Sequence, residues 1–374
     1  MEKTKRISGR DLTVVLVLSA VLLVPLAMRV DSLWPDHPVF SIPADHQNYI
    51  AMAERPGDAH RRPFAYRLLM PYVAGALPFD LATNFYVLTL LFLLATPVFM
   101  YGILRELDAS PHEALLGIAL LFSLNWWAKF LAYDFWLTEP ALICFATASL
   151  WMMLRGRPLL AGIALGLAVL SKESALFLIP FYYVYKAGKV VDPRALRKTA
   201  ILAAVPLAVF VGMRLWMPIS EHDYSPLALL RQLGPWRPGG LRDSIRAGTT
   251  GTWGLAVPVL AIVGCFRDRR FARASLAFLV LVYIQPTFDR LLVYGLVVVI
   301  PLAVVGLRQI AARFALRPWM TWTLVLIPYV LILLKENYQS PPPEQRLIVI
   351  VLWLIAVLIA RRFGEHERPG AVPG

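Results

Sequence analysis

The sequence is poor in charged residues. Asp, Glu, Lys and Arg together make up 16% of its 374 residues, whereas a soluble domain usually carries about 25%. Long apolar runs recur from Leu12 to Ala360, and runs of this kind cross lipid bilayers. The chain between these runs is too short to form a sizeable soluble domain. The composition therefore excludes a soluble protein with a single membrane anchor.

Cysteine is scarce as well, since only Cys144 and Cys265 occur, each within an apolar run. This excludes a zinc knuckle and argues against a disulfide between them. No pair of small residues marks a cleavage site after the first apolar run, because Arg29, Asp31 and Trp34 follow it. The N-terminal run is therefore interpreted as a retained helix rather than a removed signal peptide.

Acidic residues are outnumbered, with 24 Asp and Glu against 37 Lys and Arg. No basic stripe with interleaved aromatic residues forms, so nucleic acid is not expected as a partner. When the runs are threaded across a membrane with the N-terminus inside, 22 Lys and Arg fall inside but only 9 acidic residues do. This bias follows the positive-inside rule and predicts that both termini are cytoplasmic.

The runs predict an all-α membrane protein, a polytopic bundle of about 11–13 transmembrane helices. We expect one domain over residues 1–362 and a short, disordered cytoplasmic tail over 363–374. The segment Phe64–Phe79 is short and contains Arg67, so it is interpreted as interfacial or re-entrant. Two long loops, Arg29–Arg62 and Pro218–Gly251, fall outside. The predicted spans are Leu12–Met28, Leu81–Leu104, Ala114–Ala128, Leu137–Leu154, Leu159–Leu170, Ala175–Tyr185, Ala200–Met217, Thr252–Phe266, Ser275–Ile284, Leu291–Leu307, Trp319–Leu334 and Leu347–Ala360.

Charged residues at the edges of the runs gather on the outer side under this threading. They are Asp45, Arg67, Lys129, Asp134, Glu139, Lys172, Glu173, Asp289 and Arg290. Charges at membrane depth normally pair or line a hydrated site. The set predicts one extracytoplasmic cavity, although each residue alone is also compatible with a helix end that meets water.

The first outside loop contains a candidate site. Asn48, Tyr49 and Met52 recur at helical spacing and predict a short amphipathic helix on the membrane surface, with Asp45 as its N-cap. Asp45 is interpreted either as a simple cap or as a general base at the mouth of the cavity. Arg67 needs an anionic partner, which is either a protein carboxylate or a phosphate.

Two further polar segments leave alternatives open. Lys172 with Glu173 forms either a structural ion pair or a cation presented to a lipid phosphate, and Arg290 has the same ambiguity. Asp134 and Glu139 flank the start of a predicted span, in a loop crowded with aromatic residues that indicates an interfacial belt or a platform for a sugar ring. Carboxylates here leave a divalent cation open as a cofactor, although no ligand spacing is specific for one.

Three features together resemble the GT-C superfamily of membrane glycosyltransferases. They are the acidic residue before the helix Asp45–Ala53, the segment Tyr66–Pro71, which is similar to segments of uncharacterised bacterial GT-C-like proteins, and the stretch Ala161–Glu173 followed by Pro180. The resemblance implies a polyprenyl-phosphate-linked sugar donor. It also implies inverting transfer to a lipid or glycan acceptor, on the extracytoplasmic face of a bacterial inner membrane.

The resemblance also implies roles for individual residues. Asp45 would deprotonate the acceptor, with Asp134 as a second carboxylate. Lys172 and Arg67 would bind the donor phosphate. Apart from the resemblance, we expect Tyr49, Glu139, Glu173 and Arg290 at the substrate site because of their position on the outer side. The paired acidic motif of many GT-C enzymes is absent here, since His46 follows Asp45.

Two other functions remain open from the sequence. A transporter or lipid flippase would show internal repeats and polar residues at the midplane of several helices, and no repeat is visible. A non-catalytic accessory membrane protein would retain the fold without the chemistry.

Overall fold

The protein is a bundle of helices. The computed structural model describes residues 7–42, 44–220, 251–254, 256–284 and 292–335, and no strand occurs in these ranges. Within these ranges, three short 3₁₀ helices lie at Phe64–Tyr66, Glu173–Phe177 and Val293–Gly295. The α-helices are α1 Gly9–Ala27, α2 Asp45–Glu54, α3 Leu69–Ala76, α4 Leu81–Glu106, α5 Pro111–Phe122, α6 Ala128–Tyr133, α7 Glu139–Leu154, α8 Pro158–Ser171, α9 Leu178–Lys186, α10 Pro193–Trp216, α11 Ala256–Arg267, α12 Arg269–Ile284, α13 Leu296–Arg313 and α14 Pro318–Leu334. The all-α fold class expected from the sequence is confirmed.

Among the described residues, four helical stretches are long and apolar enough to cross a membrane, namely α1, α4, α10 and the stretch Val293–Arg313 that contains α13. Five shorter apolar helices, α5, α7, α8, α11 and α14, accompany them. The protein is therefore a membrane protein. The span expected at Leu347–Ala360, and the tail that follows it, lie outside the described residues.

Local sequence explains where several helices begin. Ser8 and Asp11 form a reciprocal capping box at the start of α1, and Ser110 and Glu113 form another at the start of α5. Such caps satisfy backbone N–H groups that the first turn of a helix leaves without partners. Asp80 caps α4 through the backbone N–H of Thr83 in the same way.

Small residues bring helices of the bundle into close contact. α4 packs on α7, α7 on α8, and α8 on α10, while α11 packs along α13. At the last crossing, a Cβ on Gly264 would overlap the carbonyl of Leu302, and a Cβ on Gly306 would overlap the carbonyl of Leu260. Glycine is required at both positions because it allows two helix backbones to approach closely in a membrane.

Two predicted segments differ from the structure in detail. Phe64–Phe79 is divided into the 3₁₀ helix and α3, with Arg67 between them. α3 has 8 residues and packs against α2 and α8. The segment Ala175–Tyr185, expected as one span, is divided as well, because a 3₁₀ helix of 5 residues precedes α9, which has 9. Neither α3 nor α9 is long enough to cross a bilayer alone.

The two long loops meet beside α10. His60 and Ile219 form an isolated parallel bridge, in which the His60 N–H donates to the Pro218 carbonyl at 3.3 Å. The Arg214 guanidinium lies 4.7 Å from the centre of the Tyr66 ring. These contacts fix the segment that carries Arg67 against the end of α10.

Candidate functional site

A tyrosine on α2 and an arginine after it form the first part of the site. α2 buries the face that carries His46, Tyr49 and Met52. Tyr49 is fully buried, Arg67 is 7% exposed, and Arg67 Nη1 donates to Tyr49 Oη at 2.7 Å. The guanidinium also lies 5.2 Å from the centre of the Phe64 ring. The amphipathic helix predicted from the sequence is therefore present, and Tyr49 is aimed into the protein.

Burial and nearby charges shift the pKa values of Tyr49 and Arg67. Burial raises the pKa of the Tyr49 phenol to about 12, while Arg67 lowers it and Glu139 and Asp45 raise it. Burial works to lower the pKa of the Arg67 guanidinium, and Tyr49 works to raise it. The carboxylates of Glu173 and Glu139 raise it further, above its usual range. Arg67 therefore stays charged although it is buried.

A lysine, a glutamate and a second tyrosine form the other part of the site. Lys172 is the C-cap that follows α8, Glu139 begins α7, and Tyr294 lies in the 3₁₀ turn before α13. Lys172 Nζ lies 2.6 Å from Tyr294 Oη and 3.4 Å from Glu139 Oε1. Tyr294 Oη donates to Glu139 Oε1 at 3.0 Å. The side chains of Lys172 and Glu139 are only 7% and 1% exposed, so the bundle buries a complete ion pair.

Glu139 joins these two parts into one cluster. It pairs with Lys172 in the second part, and its negative charge raises the pKa of both Tyr49 and Arg67 in the first. We call Tyr49, Arg67, Glu139, Lys172, Glu173 and Tyr294 the polar cluster. Some buried atoms in or beside it have no hydrogen-bond partner among the described residues: Arg67 Nε, Glu173 Oε2, Ser174 Oγ and Thr138 Oγ1. Buried polar atoms are nearly always hydrogen-bonded in proteins. The cluster thus retains capacity to bind a polar ligand.

The remaining predicted site residues have different positions. Asp45 is the first residue of α2, not its N-cap, because Ala44 occupies the cap and provides no side-chain bond. Asp45 is half-buried, and its charge acts on Tyr49. Asp134 is the C-cap that follows α6, and its backbone N–H donates to the Phe130 carbonyl at 2.9 Å. Arg290 lies outside the described residues.

Phe135 and Trp136, which follow Asp134, belong to a buried layer, whereas Tyr133 before it is half-buried. Phe135 and Trp136 are at most 2% exposed, so they act neither as an interfacial belt nor as an open platform for a sugar. Trp136 Nε1 donates to the Leu33 carbonyl at 2.7 Å, and its ring contacts Phe40, which stacks on His46 of α2. The layer therefore attaches the first loop and α2 to the bundle.

Lys129 has a structural role. It lies on α6 and is 4% exposed. Its Nζ donates to the carbonyls of Ile332 at 2.8 Å and Leu333 at 3.3 Å, and also to that of Lys335. A cation in this position satisfies the free carbonyls and the negative end of the helix dipole. Lys129 thus caps α14.

A bound divalent cation would need several oxygen ligands, carboxylates above all, close together. No group of three or more His, Cys, Asp or Glu side chains comes together within the described ranges. The described residues therefore provide no carboxylate cage for the cation left open by the sequence.

Tyr294 is the member of the polar cluster that sequence reasoning missed. Replacing it with Phe removes the hydroxyl that joins Lys172 to Glu139 but keeps the ring. We expect the free energy of unfolding to fall by about 1–3 kcal/mol, because buried polar groups lose a partner. The measurement is thermal unfolding in detergent.

The control for this variant is Tyr183→Phe, which removes the hydroxyl of a half-buried tyrosine that donates to the Val190 carbonyl and accepts from the Asp192 N–H. Its midpoint is expected to change by less than half as much. Equal midpoints for wild type and Tyr294→Phe would show that the hydroxyl does not stabilise the cluster.

Comparisons with known proteins identify the type of fold. No protein-family model and no curated protein matches the sequence. Two crystal structures of the Archaeoglobus fulgidus oligosaccharyltransferase match over 95% of the chain at 11% identity. The apo form matches with a TM-score of 0.50, and the form tethered to an acceptor peptide containing the NVT sequon matches with a TM-score of 0.53. The chain spans about half the length of these proteins, 55% and 54%. It has a GT-C-like fold.

Proposed function

We propose that the protein is an integral membrane glycosyltransferase that moves a sugar from a polyprenyl-phosphate donor to a lipid or glycan acceptor. The observation that carries this proposal is the polar cluster, in which Arg67 and Lys172 are both more than nine-tenths buried. The GT-C-like fold supports the same reaction class by analogy. A lipid donor suits a site within a membrane bundle, because its prenyl tail remains in the bilayer.

The two cations match the chemistry of a phosphate leaving group. As the bond between the anomeric carbon and the phosphate oxygen breaks, its electron pair passes to the phosphate, which gains negative charge. Arg67 and Lys172 would stabilise that charge in surroundings that exclude water, where such an interaction is strongest. Arg67 suits this role because its guanidinium binds phosphate through two donors. Glu173 and Tyr49 would orient the donor.

The acceptor hydroxyl requires a base. We assign this role to Asp45, which is half-buried at the start of α2 and acts electrostatically on Tyr49. Asp45 would take the hydroxyl proton while the acceptor oxygen bonds to the anomeric carbon from the face opposite the phosphate. The configuration at that carbon would be inverted. Asp134 and Arg290 remain proposed members of the site, as a second carboxylate and a second phosphate contact.

The orientation of the site follows from the charge bias of the loops. With both termini cytoplasmic, α2 and the polar cluster would lie on the extracytoplasmic side. A bacterial inner membrane is the proposed location. The donor would then reach the site from the outer leaflet, and the acceptor would be an envelope glycan or a lipid.

Replacing Asp45 with Asn tests the base directly. We expect transfer to fall by about 10²–10⁴-fold, because a positioned general base contributes an acceleration of that size. The measurement is sugar transfer in proteoliposomes that contain radiolabelled polyprenyl-phosphate sugars and native lipid extract. Asp58→Asn is the matched control, since Asp58 is an exposed carboxylate of the same loop, paired at the surface with Arg55.

The outcomes test two claims separately: that the protein transfers sugar, and that Asp45 is the base. Loss of transfer in Asp45→Asn but not in Asp58→Asn supports both the reaction and the base. If transfer survives in Asp45→Asn, the protein is still a glycosyltransferase, but Asp45 is not its base. If folded wild type transfers no sugar from any donor, the proposal fails, and transport or an accessory role takes its place.

A further inference from the structure

An apolar groove lies between α1 and α4, away from the polar cluster. Its volume is about 550 Å³, within the range of about 300–1,000 Å³ that is usual for ligand sites. Leu23 on α1 and Leu90 on α4 line its apolar part. Trp34 and Tyr86 line one end, with ring centres 5.3 Å apart. The groove is thus large enough for a lipid chain.

The position of the groove relative to a bilayer follows from the two helices that form it. α1 and α4 are both long and apolar enough to span a membrane. Val21 on α1 is 60% exposed and Leu91 on α4 is 56% exposed, so apolar side chains of both helices face outward beside the groove. Trp and Tyr concentrate at the membrane–water interface. The pair Trp34 and Tyr86 therefore marks headgroup depth, and the leucines lie at hydrocarbon depth.

A charged residue lines the groove, and a residue of opposite charge lies close to it in the sequence. Asp31 lines it with a side chain that is 91% exposed, and its Oδ2 lies 3.4 Å from His37 Nε2. Arg29 is two residues away and is exposed. A guanidinium binds a phosphate diester well, and a carboxylate accepts hydrogen bonds from a primary ammonium. This order of charges matches a zwitterionic phospholipid headgroup.

We infer that this groove binds one phospholipid of the ethanolamine type. One acyl chain lies along Leu23 and Leu90, the phosphate contacts Arg29, and the primary ammonium contacts Asp31. A choline headgroup would fit less well, because a quaternary ammonium has no N–H to donate to Asp31. The site is separate from the proposed reaction and does not depend on it.

Native mass spectrometry of the full chain in mild detergent tests this inference. Wild type is titrated with phosphatidylethanolamine, phosphatidylcholine and phosphatidylglycerol, and the bound lipids are counted. Leu90→Trp and Val24→Trp fill the groove from opposite sides, and Val24 is 52% exposed, so its replacement leaves the core intact. Leu91→Trp is the matched control, since Leu91 is next in sequence and is not a lining residue.

We expect wild type and Leu91→Trp to bind one phosphatidylethanolamine more tightly than the other lipids. Both filling variants should lose about tenfold in affinity or more, equivalent to about 1.4 kcal/mol of lost contact. Asp31→Asn should still bind lipid but lose the preference for ethanolamine over choline. Each variant is first shown to be monodisperse by gel filtration.

Two results would overturn the inference. If the filling variants bind the same lipids as wild type with the same affinity, the groove does not hold the lipid. If phosphatidylglycerol binds as tightly as phosphatidylethanolamine in wild type, the assignment of the headgroup to Asp31 is wrong.

Discussion

Sugar transfer is expected to fall by about 100- to 1,000-fold when Lys172 is replaced by Met, because a buried cation that stabilises the leaving phosphate contributes on this scale. Met has a similar length and no charge. The assay is transfer from a polyprenyl-phosphate sugar in proteoliposomes. Lys172 is well suited to this test because it is buried and contacts both Glu139 and Tyr294.

The same substitution is also expected to lower the stability of the protein. A second variant distinguishes this loss of stability from the loss of phosphate binding. Removing one partner of a buried ion pair costs about 3–5 kcal/mol, since it leaves an uncompensated charge. Lys172→Met combined with Glu139→Gln removes both charges and should recover most of the lost stability, yet remain inactive. If this double variant transfers sugar at the wild-type rate, Lys172 does not bind the donor.

Replacing Gly306 with Leu is expected to disrupt the packing of α11 on α13. The new side chain would meet the backbone of Leu260, which cannot move aside as a flexible side chain can. Overpacking in a close-packed interior costs about 3 kcal/mol or more when the backbone must shift. We expect a large fall in the thermal unfolding midpoint in detergent, with most of the protein aggregated on gel filtration.

Gly212→Leu is the matched control for this variant. Gly212 lies on α10, another membrane-length helix, and nothing lies within 4 Å of the position of its Cβ. Its midpoint should stay close to that of wild type. If Gly306→Leu also unfolds like wild type, the contact between α11 and α13 is not the close crossing described above.

Much of the fold could be predicted from hydropathy, because apolar runs in a membrane leave few structural choices. The run at Leu81–Leu104 corresponds closely to α4. Prediction failed where short helices join, as at Ala175–Tyr185. There a 3₁₀ turn follows Lys172, and hydropathy contains no signal for such a break.

The candidate site could be predicted in part. Charges inside apolar sequence are conspicuous, so Arg67 and Lys172 were identified, and the structure brings them into one cluster with Glu139. Tyr294 was missed because a tyrosine near the end of an apolar run is also typical of an interfacial belt. Its role follows from contacts with residues far away in sequence, which a single sequence does not reveal.

The central claim is that Arg67 and Lys172 bind the phosphate of a lipid-linked sugar. The most direct measurement is an experimental structure of the full chain in nanodiscs with a bound polyprenyl-phosphate sugar or its non-hydrolysable analogue. We predict phosphate density within hydrogen-bonding distance of Lys172 Nζ and the Arg67 guanidinium, with the sugar facing Asp45. Phosphate bound elsewhere, with the Lys172–Glu139–Tyr294 contacts unchanged, would contradict the claim.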